Sequence, residues 1–181
     1  AGVASIQAKK WDEAIKHFRI ITISFPKAEL TQKAHYFLGI AYYEVDDLEM
    51  ANQKLSEYLQ ISALSSQKNS LYFLQAFKYK LAIAERYQRG EKGRLFHHGK
   101  MPKWRPAQED ALEIYNEIIN TLANNDLVAK ALICKGLLLK KEKEYKAKEK
   151  ARIDTLDAIR KESKVEVPNI LIESELDRMT N

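Results

Sequence analysis

The chain has 181 residues, 45% of them hydrophobic and 30% charged, with six glycines and four prolines; this composition excludes a disordered chain and fits one compact domain or a short repeat array. A single cysteine, Cys134, excludes an internal disulfide framework, and no apolar run approaches the ~20 residues needed to span a bilayer. The formal net charge is +5, and one short stretch accounts for it, as shown below.

The chain opens on Ala1-Gly2-Val3 without an initiator Met or a signal-peptide pattern, which reads as a processed or trimmed beginning. From there apolar residues recur three and four apart in a background of Ala, Leu, Lys, Glu and Gln, so the spacing predicts an all-helical chain. The β-branched patch Ile20 to Phe25 continues the helical face set by Ala14 and Phe18 and is assigned to helix. A repeat follows: Gly2, Ala14, Phe18, Ile21 and Pro26 align with Gly39, Ala51, Leu55, Tyr58 and Ala63 at a constant offset of 37 residues. Each set reads as a helix pair, with a Gly late in the first helix and an Ala early in the second letting two backbones approach, and large apolar residues filling the space beyond. The turns between are polar, Lys9-Lys10 and Asp46-Asp47. A third unit carries Leu81-Ala82 and then, after an insertion, Ala111, Tyr115 and Ile118. In the fourth, Leu132 and Gly136 fit a first helix, but Lys148 holds the small position of the second and no breaker lies between Lys140 and Tyr145. That part reads either as a helix pair or as one long helix from about Leu127 to Arg160. Past Lys164 the mildly apolar run Val165 to Ile172, with Pro168 suited to a helix start, makes 165–181 a candidate terminal cap. The whole chain is expected to form a single domain, 1–181.

The insertion, 89–105, holds Arg89, Lys92, Arg94, Lys100, Lys103 and Arg105 against Glu91 alone, an excess of five that equals the net charge of the entire chain. Phe96, Met101 and Trp104 lie among these charges. Such a loop suits an acidic protein surface, an anionic membrane surface or single-stranded nucleic acid, with nucleic acid the least favoured; alternatively Phe96 and Trp104 fold it back on the helices. Arg94, Phe96, Lys100, Lys103, Trp104 and Arg105 are therefore the candidate contact residues here.

Signatures of catalysis are missing from the sequence: it has no P-loop, no G-x-S-x-G, no H-E-x-x-H and no dinucleotide fingerprint. Gly90-Glu91-Lys92-Gly93 has the spacing of a phosphate-clamping G-x-x-G turn without the sheet such a module needs. His97-His98 has no Cys or acid at ligand spacing, Cys134 sits in an apolar run without a base, and the carboxylate pairs Asp46-Asp47 and Glu142/Glu144 fall in turns or charged faces. The reading is of a protein that is not an enzyme, needs no cofactor or metal, has no small-molecule substrate, and works by binding other proteins.

Leu38-Gly39, Tyr42, Ala51 and Leu55, at these intervals, resemble the tetratricopeptide repeat. The resemblance implies tandem antiparallel helix pairs in a right-handed superhelix of about three to four repeats, with the first repeat truncated, and first helices lining a concave groove. Counting from Gly39, Ala82 and Gly136, the groove columns are Tyr36, Tyr79 and Ile133; Ile40, Ile83 and Leu137; and Tyr43, Arg86 and Lys140. An apolar, aromatic strip edged by cations suits an extended or helical peptide with apolar anchors; the other reading is that these side chains are covered and belong to the core. Chaperone-binding members of that family carry Lys and Asn in the first two columns, where this chain has Tyr and Ile. The dense pattern A-x2-H-F-x-x-I-x-x-x-F-P, followed by Ala34-His35-Tyr36-Phe37-Leu38-Gly39-Ile40-Ala41-Tyr42-Tyr43-Glu44 and a two-acid turn, is similar to the BamD/YfiO group of bacterial outer-membrane assembly lipoproteins. That similarity implies a periplasmic scaffold, lipid-anchored through a segment upstream of residue 1, whose partners are the barrel insertase and unfolded barrel precursors. A type III secretion chaperone or another cytosolic assembly factor is the alternative.

Overall fold

Seven helices and one short β-ribbon make up the described part of the chain, a computed structural model covering residues 1–26, 29–64, 71–94, 103–122, 125–162 and Arg178. The elements are α1 (Gly2–Gln7), α2 (Trp11–Ser24), α3 (Glu29–Glu44), α4 (Leu48–Leu64), α5 (Leu71–Gln88), β1 (Lys92–Arg94), β2 (Lys103–Pro106), α6 (Gln108–Thr121) and α7 (Asp126–Glu162). The chain divides into two compact units, 1–138 and 139–181, where the sequence reading expects a single domain. The proposed cap at 165–181 lies outside the described residues apart from Arg178.

In the first unit the helices form tandem antiparallel pairs, α1/α2, α3/α4 and α5/α6, each packed on its neighbour in sequence, with α3 also touching α5. The pairs close because small residues meet large ones. A Cβ placed at Gly2 would come within 2.8 Å of Phe18 Cζ, and one at Gly39 within 2.6 Å of Leu55 Cγ, so only glycine permits these approaches. Ala14, Ala51 and Ala111, early in the second helices, are wholly buried.

All three first helices end in the same way. The N–H of Lys10 donates to Ser5 O at 2.8 Å, that of Asp47 to Tyr42 O at 2.9 Å and that of Glu91 to Arg86 O at 3.2 Å; one residue earlier Lys9, Asp46 and Gly90 donate to Ile6, Tyr43 and Tyr87. These paired bonds are the Schellman closure, which requires a left-handed residue just past the helix. Lys9 (φ 53°), Asp46 (φ 64°) and Gly90 (φ 108°) fill that role. After the first two closures the chain enters the second helix directly. After Gly90 it runs instead into β1, which pairs antiparallel with β2, Lys92 opposite Pro106 and Gly93 opposite Arg105, with an irregularity between Gly93 and Arg94. The 89–105 insertion, read from sequence as a loop, therefore has a two-stranded base. Strands of three and four residues, Lys-Gly-Arg and Lys-Trp-Arg-Pro, are too short to carry an alternation from which to read them.

The open question about the fourth unit is answered: α7 is one uninterrupted helix. At the repeat offset, the residues that would make the buried face of a second helix are Lys148, Arg152 and Thr155 in place of Ala51, Leu55 and Tyr58. With no apolar face to bury, a left-handed turn near Lys143 has no compensation. Good helix formers continue through it, supported by Lys146–Glu142 (2.5 Å) and Lys140–Glu144 (3.8 Å) one turn apart. The N-terminal part of α7 is fixed to the array: Tyr115 Oη donates to Gln88 Oε1 (2.6 Å), Gln88 Nε2 donates to the Cys134 carbonyl (3.2 Å), and Lys130 pairs with Glu85 (2.7 Å).

Candidate functional site

The face shared by α3 and α5 is aromatic because the first helices of adjacent pairs present tyrosines to one another. Tyr43 and Tyr79 meet edge to face at 5.4 Å, and the Arg86 guanidinium lies 5.6 Å from the Tyr43 centroid. Both tyrosines are half-buried. Burial, and then the nearby Glu44 carboxylate, push the Tyr79 hydroxyl above the ordinary phenol range, so it stays a neutral donor at physiological pH. Arg86 is held by Glu91 (Nε to Oε1, 2.7 Å) and by Asp46 of the preceding turn. These hydrogen bonds, the one to Glu91 foremost, raise its pKa further and keep it charged. The cation is thus a structural tie between two helix ends that also stacks on Tyr43. Ile40 is half-buried against the same core.

Two of the predicted groove residues are core instead. Tyr36 is buried, its hydroxyl donating to Gln75 Oε1 at 2.6 Å and its ring packed against Tyr72 (5.0 Å), Tyr58 (5.4 Å) and Phe37 (5.4 Å). Ile83 is wholly buried. The cause is α5, which packs against α4, α6 and α3 and so loses faces that a two-neighbour helix would leave free. Ile133 and Leu137 are exposed on α7. Lys140, in the second unit, is exposed and one turn from Glu144.

Of the basic loop, Phe96 and Lys100 lie outside the described residues, and Arg94, Lys103 and Trp104 are placed on the strands by backbone alone. Arg105 departs from the sequence reading. It is half-buried and paired with Asp110 in the first turn of α6, so it anchors the base of the ribbon rather than standing free for a partner. Gly93 faces Glu49, Arg105 and Ala107 closely, and seats the ribbon on α4.

Sequence reasoning missed one buried feature. Lys80, 1% exposed, reaches Ser56 Oγ on α4 and Glu117 Oε2 (2.6 Å) on α6, joining three helices through one ammonium group. Desolvation lowers its pKa, against the opposing pull of Glu117. Its signal was a lysine at a position where the helical periodicity calls for an apolar residue. Beyond it a cleft between α4, α5 and α6 is lined by Glu49, Asn52, Gln53, Tyr87, Asp110 and Glu113. Among the described residues no group of three His, Cys, Asp or Glu side chains could hold a metal ion, and no helix is long and apolar enough to cross a membrane.

The sequence matches the family model described as YfiO: Outer membrane lipoprotein over residues 1–132. A comparison with curated proteins gives no match.

Proposed function

We propose that this chain, which belongs to the YfiO family of outer membrane lipoproteins, is a periplasmic scaffold that holds segments of other proteins during outer-membrane β-barrel assembly. The reading rests on one observation, the half-buried Tyr43–Tyr79 pair between adjacent first helices. Aromatic rings that are rigidly packed on one side and open on the other offer large contact area at small entropic cost, the property of peptide-binding hot spots. Ile40 extends this strip, and Ile133 and Leu137 are further candidates on α7. Tyr36 and Ile83 stabilise the strip from beneath. The clients are barrel precursors in extended form, together with components of the insertase.

The ribbon is a second contact, through Arg94, Lys103 and the span 95–102 that holds Phe96 and Lys100, with an acidic protein surface or anionic lipid headgroups as its counterpart. Neutralising Lys100 and Lys103 is expected to weaken it chiefly at low salt, since exposed charges are screened beyond ~8 to 10 Å near physiological ionic strength.

The test uses an unfolded outer-membrane β-barrel precursor, diluted from urea, and measures its affinity by fluorescence anisotropy. Tyr43→Ala with Tyr79→Ala is expected to weaken binding about tenfold or more, the loss of one hot-spot pair, while helicity by circular dichroism stays unchanged. Equal affinity for both proteins would remove the groove from the mechanism.

A further inference from the structure

We infer that the outer face of α2, with the edge where α2 gives way to α3, rests on an anionic phospholipid surface. Ile20, Ile23, Phe25 and Leu30 enter that surface, and Lys16, Arg19 and Lys33 meet its headgroups. The inference goes beyond the proposed function, which uses the tyrosine strip and the ribbon.

The face follows from helical geometry. At 3.6 residues per turn, Ile20 and Ile23 fall on the side of α2 opposite Ala14 and Phe18, which are buried. Ile20 is 58% and Ile23 70% exposed. Phe25 closes the helix, its N–H donating to Ile21 O at 3.0 Å, and its own carbonyl accepts from the Thr31 hydroxyl in the first turn of α3. Phe25 and Leu30 therefore share one edge, where they are 61% and 58% exposed.

Exposed apolar residues scattered singly need no explanation. These four come with cations at fixed spacing. Lys16 stands one turn before Ile20, Arg19 one turn before Ile23, and Lys33 one turn after Leu30. All three are exposed and form no salt bridge among the described residues. The acids of α2, Asp12 and Glu13, lie at its opposite end, Glu13 paired with Lys10 at 3.3 Å. Long cationic side chains beside apolar ones lay their stems along the acyl boundary and keep their charge among the headgroups.

Shape and charge together point to lipid. Each of the four apolar side chains stands more than half in water, and a fluid bilayer admits such separate protrusions without a complementary groove. Three cations spread over two helices need anions spaced along a surface, which the phosphates of an anionic leaflet supply to all of them at once. The family match to outer membrane lipoproteins spans residues 1–132 and so contains the whole face; a lipoprotein works beside such a surface.

The test measures partition of the full chain onto sedimented vesicles of phosphatidylglycerol and phosphatidylcholine in equal parts. Ile20→Ser with Ile23→Ser and Phe25→Ser is expected to lower the partition coefficient at least about tenfold at low and high salt alike. Lys16→Gln with Arg19→Gln and Lys33→Gln is expected to lower it about tenfold or more at low salt and little at high salt. All six side chains are exposed, so helicity by circular dichroism should stay at the wild-type value. Wild-type partition in the serine variant overturns the inference, and places the lipid on the ribbon if Lys100→Gln with Lys103→Gln abolishes partition instead. Absence of partition for the unaltered chain, or equal partition onto phosphatidylcholine alone, overturns it as well.

Discussion

The paired helices α1 to α6 and the long helix α7 use the same kind of first-helix sequence and reach opposite outcomes. In each pair a glycine or alanine on the first helix is matched by a second helix with an apolar face, and the left-handed residues Lys9 and Asp46 are tolerated because the turn they make delivers that face to its partner. In α7 the first-helix part is intact, with Ala131 and Leu138 buried, but the following residues are Lys148, Arg152 and Thr155. The helix continues without a turn. A turn survives where the burial it enables outweighs the roughly 1–2 kcal/mol of a left-handed side-chain-bearing residue; where no apolar surface waits beyond it, the intrinsic helix propensity of Lys, Glu and Ala decides.

The two regions are expected to differ most in amide hydrogen exchange. Amides of α3 and α5 are expected to exchange about a thousandfold or more slowly than those of 143–162, where nearly every side chain is exposed, because protection follows burial and cooperative packing. Comparable protection in both regions would mean that the C-terminal stretch of α7 is covered in solution.

The two glycines give the next largest contrast. Gly39→Leu drives a side chain into Leu55 and is expected to cost about 3 kcal/mol by overpacking. Gly136→Leu enters open space and should stabilise by up to about 1 kcal/mol, the difference in helix propensity. Urea denaturation of the two variants measures both; similar losses would mean that Gly136 is covered.

Lys80 separates the regions by pH. Its pKa in the folded chain lies below its unfolded value, so the protonated form opposes folding, and stability tied to this group rises as pH climbs from the folded pKa toward the unfolded one. Tyr36, Tyr87 and Tyr115 act in the opposite sense above pH 10, their hydroxyls raised by burial. The stability of the wild type relative to Lys80→Met should therefore increase as pH rises toward the ordinary lysine value of 10.5, since subtraction cancels the tyrosines. A flat difference would show that the Glu117 contact compensates the buried charge in full.

Much of the fold could be read from the residues. The 37-residue offset located two pairs, and the absence of a breaker after Lys140 kept the long helix in view. The site was less legible. Tyr43 and Tyr79 were read onto one face and do meet there, but Tyr36 and Ile83 were assigned to the same surface although both lie in the core. A column of residues along one helix shows which side chains share a face, and not how many neighbouring helices that face meets. Arg86 and Arg105 were counted as free cations although each pairs with a carboxylate five residues on, Glu91 and Asp110, across a chain reversal that linear spacing does not show, and Arg86 also with Asp46 forty residues back.

The sequence by itself determined the helical class, the pairing of the first two units and the family similarity, because these depend on local periodicity and on small residues at fixed spacing. Only the tertiary structure decided which tyrosines are covered, that Lys80 ties α5 to α4 and α6, and that Gly136 faces open space. Those outcomes depend on whether a second surface arrives, and contact between residues far apart in the chain has no local signature.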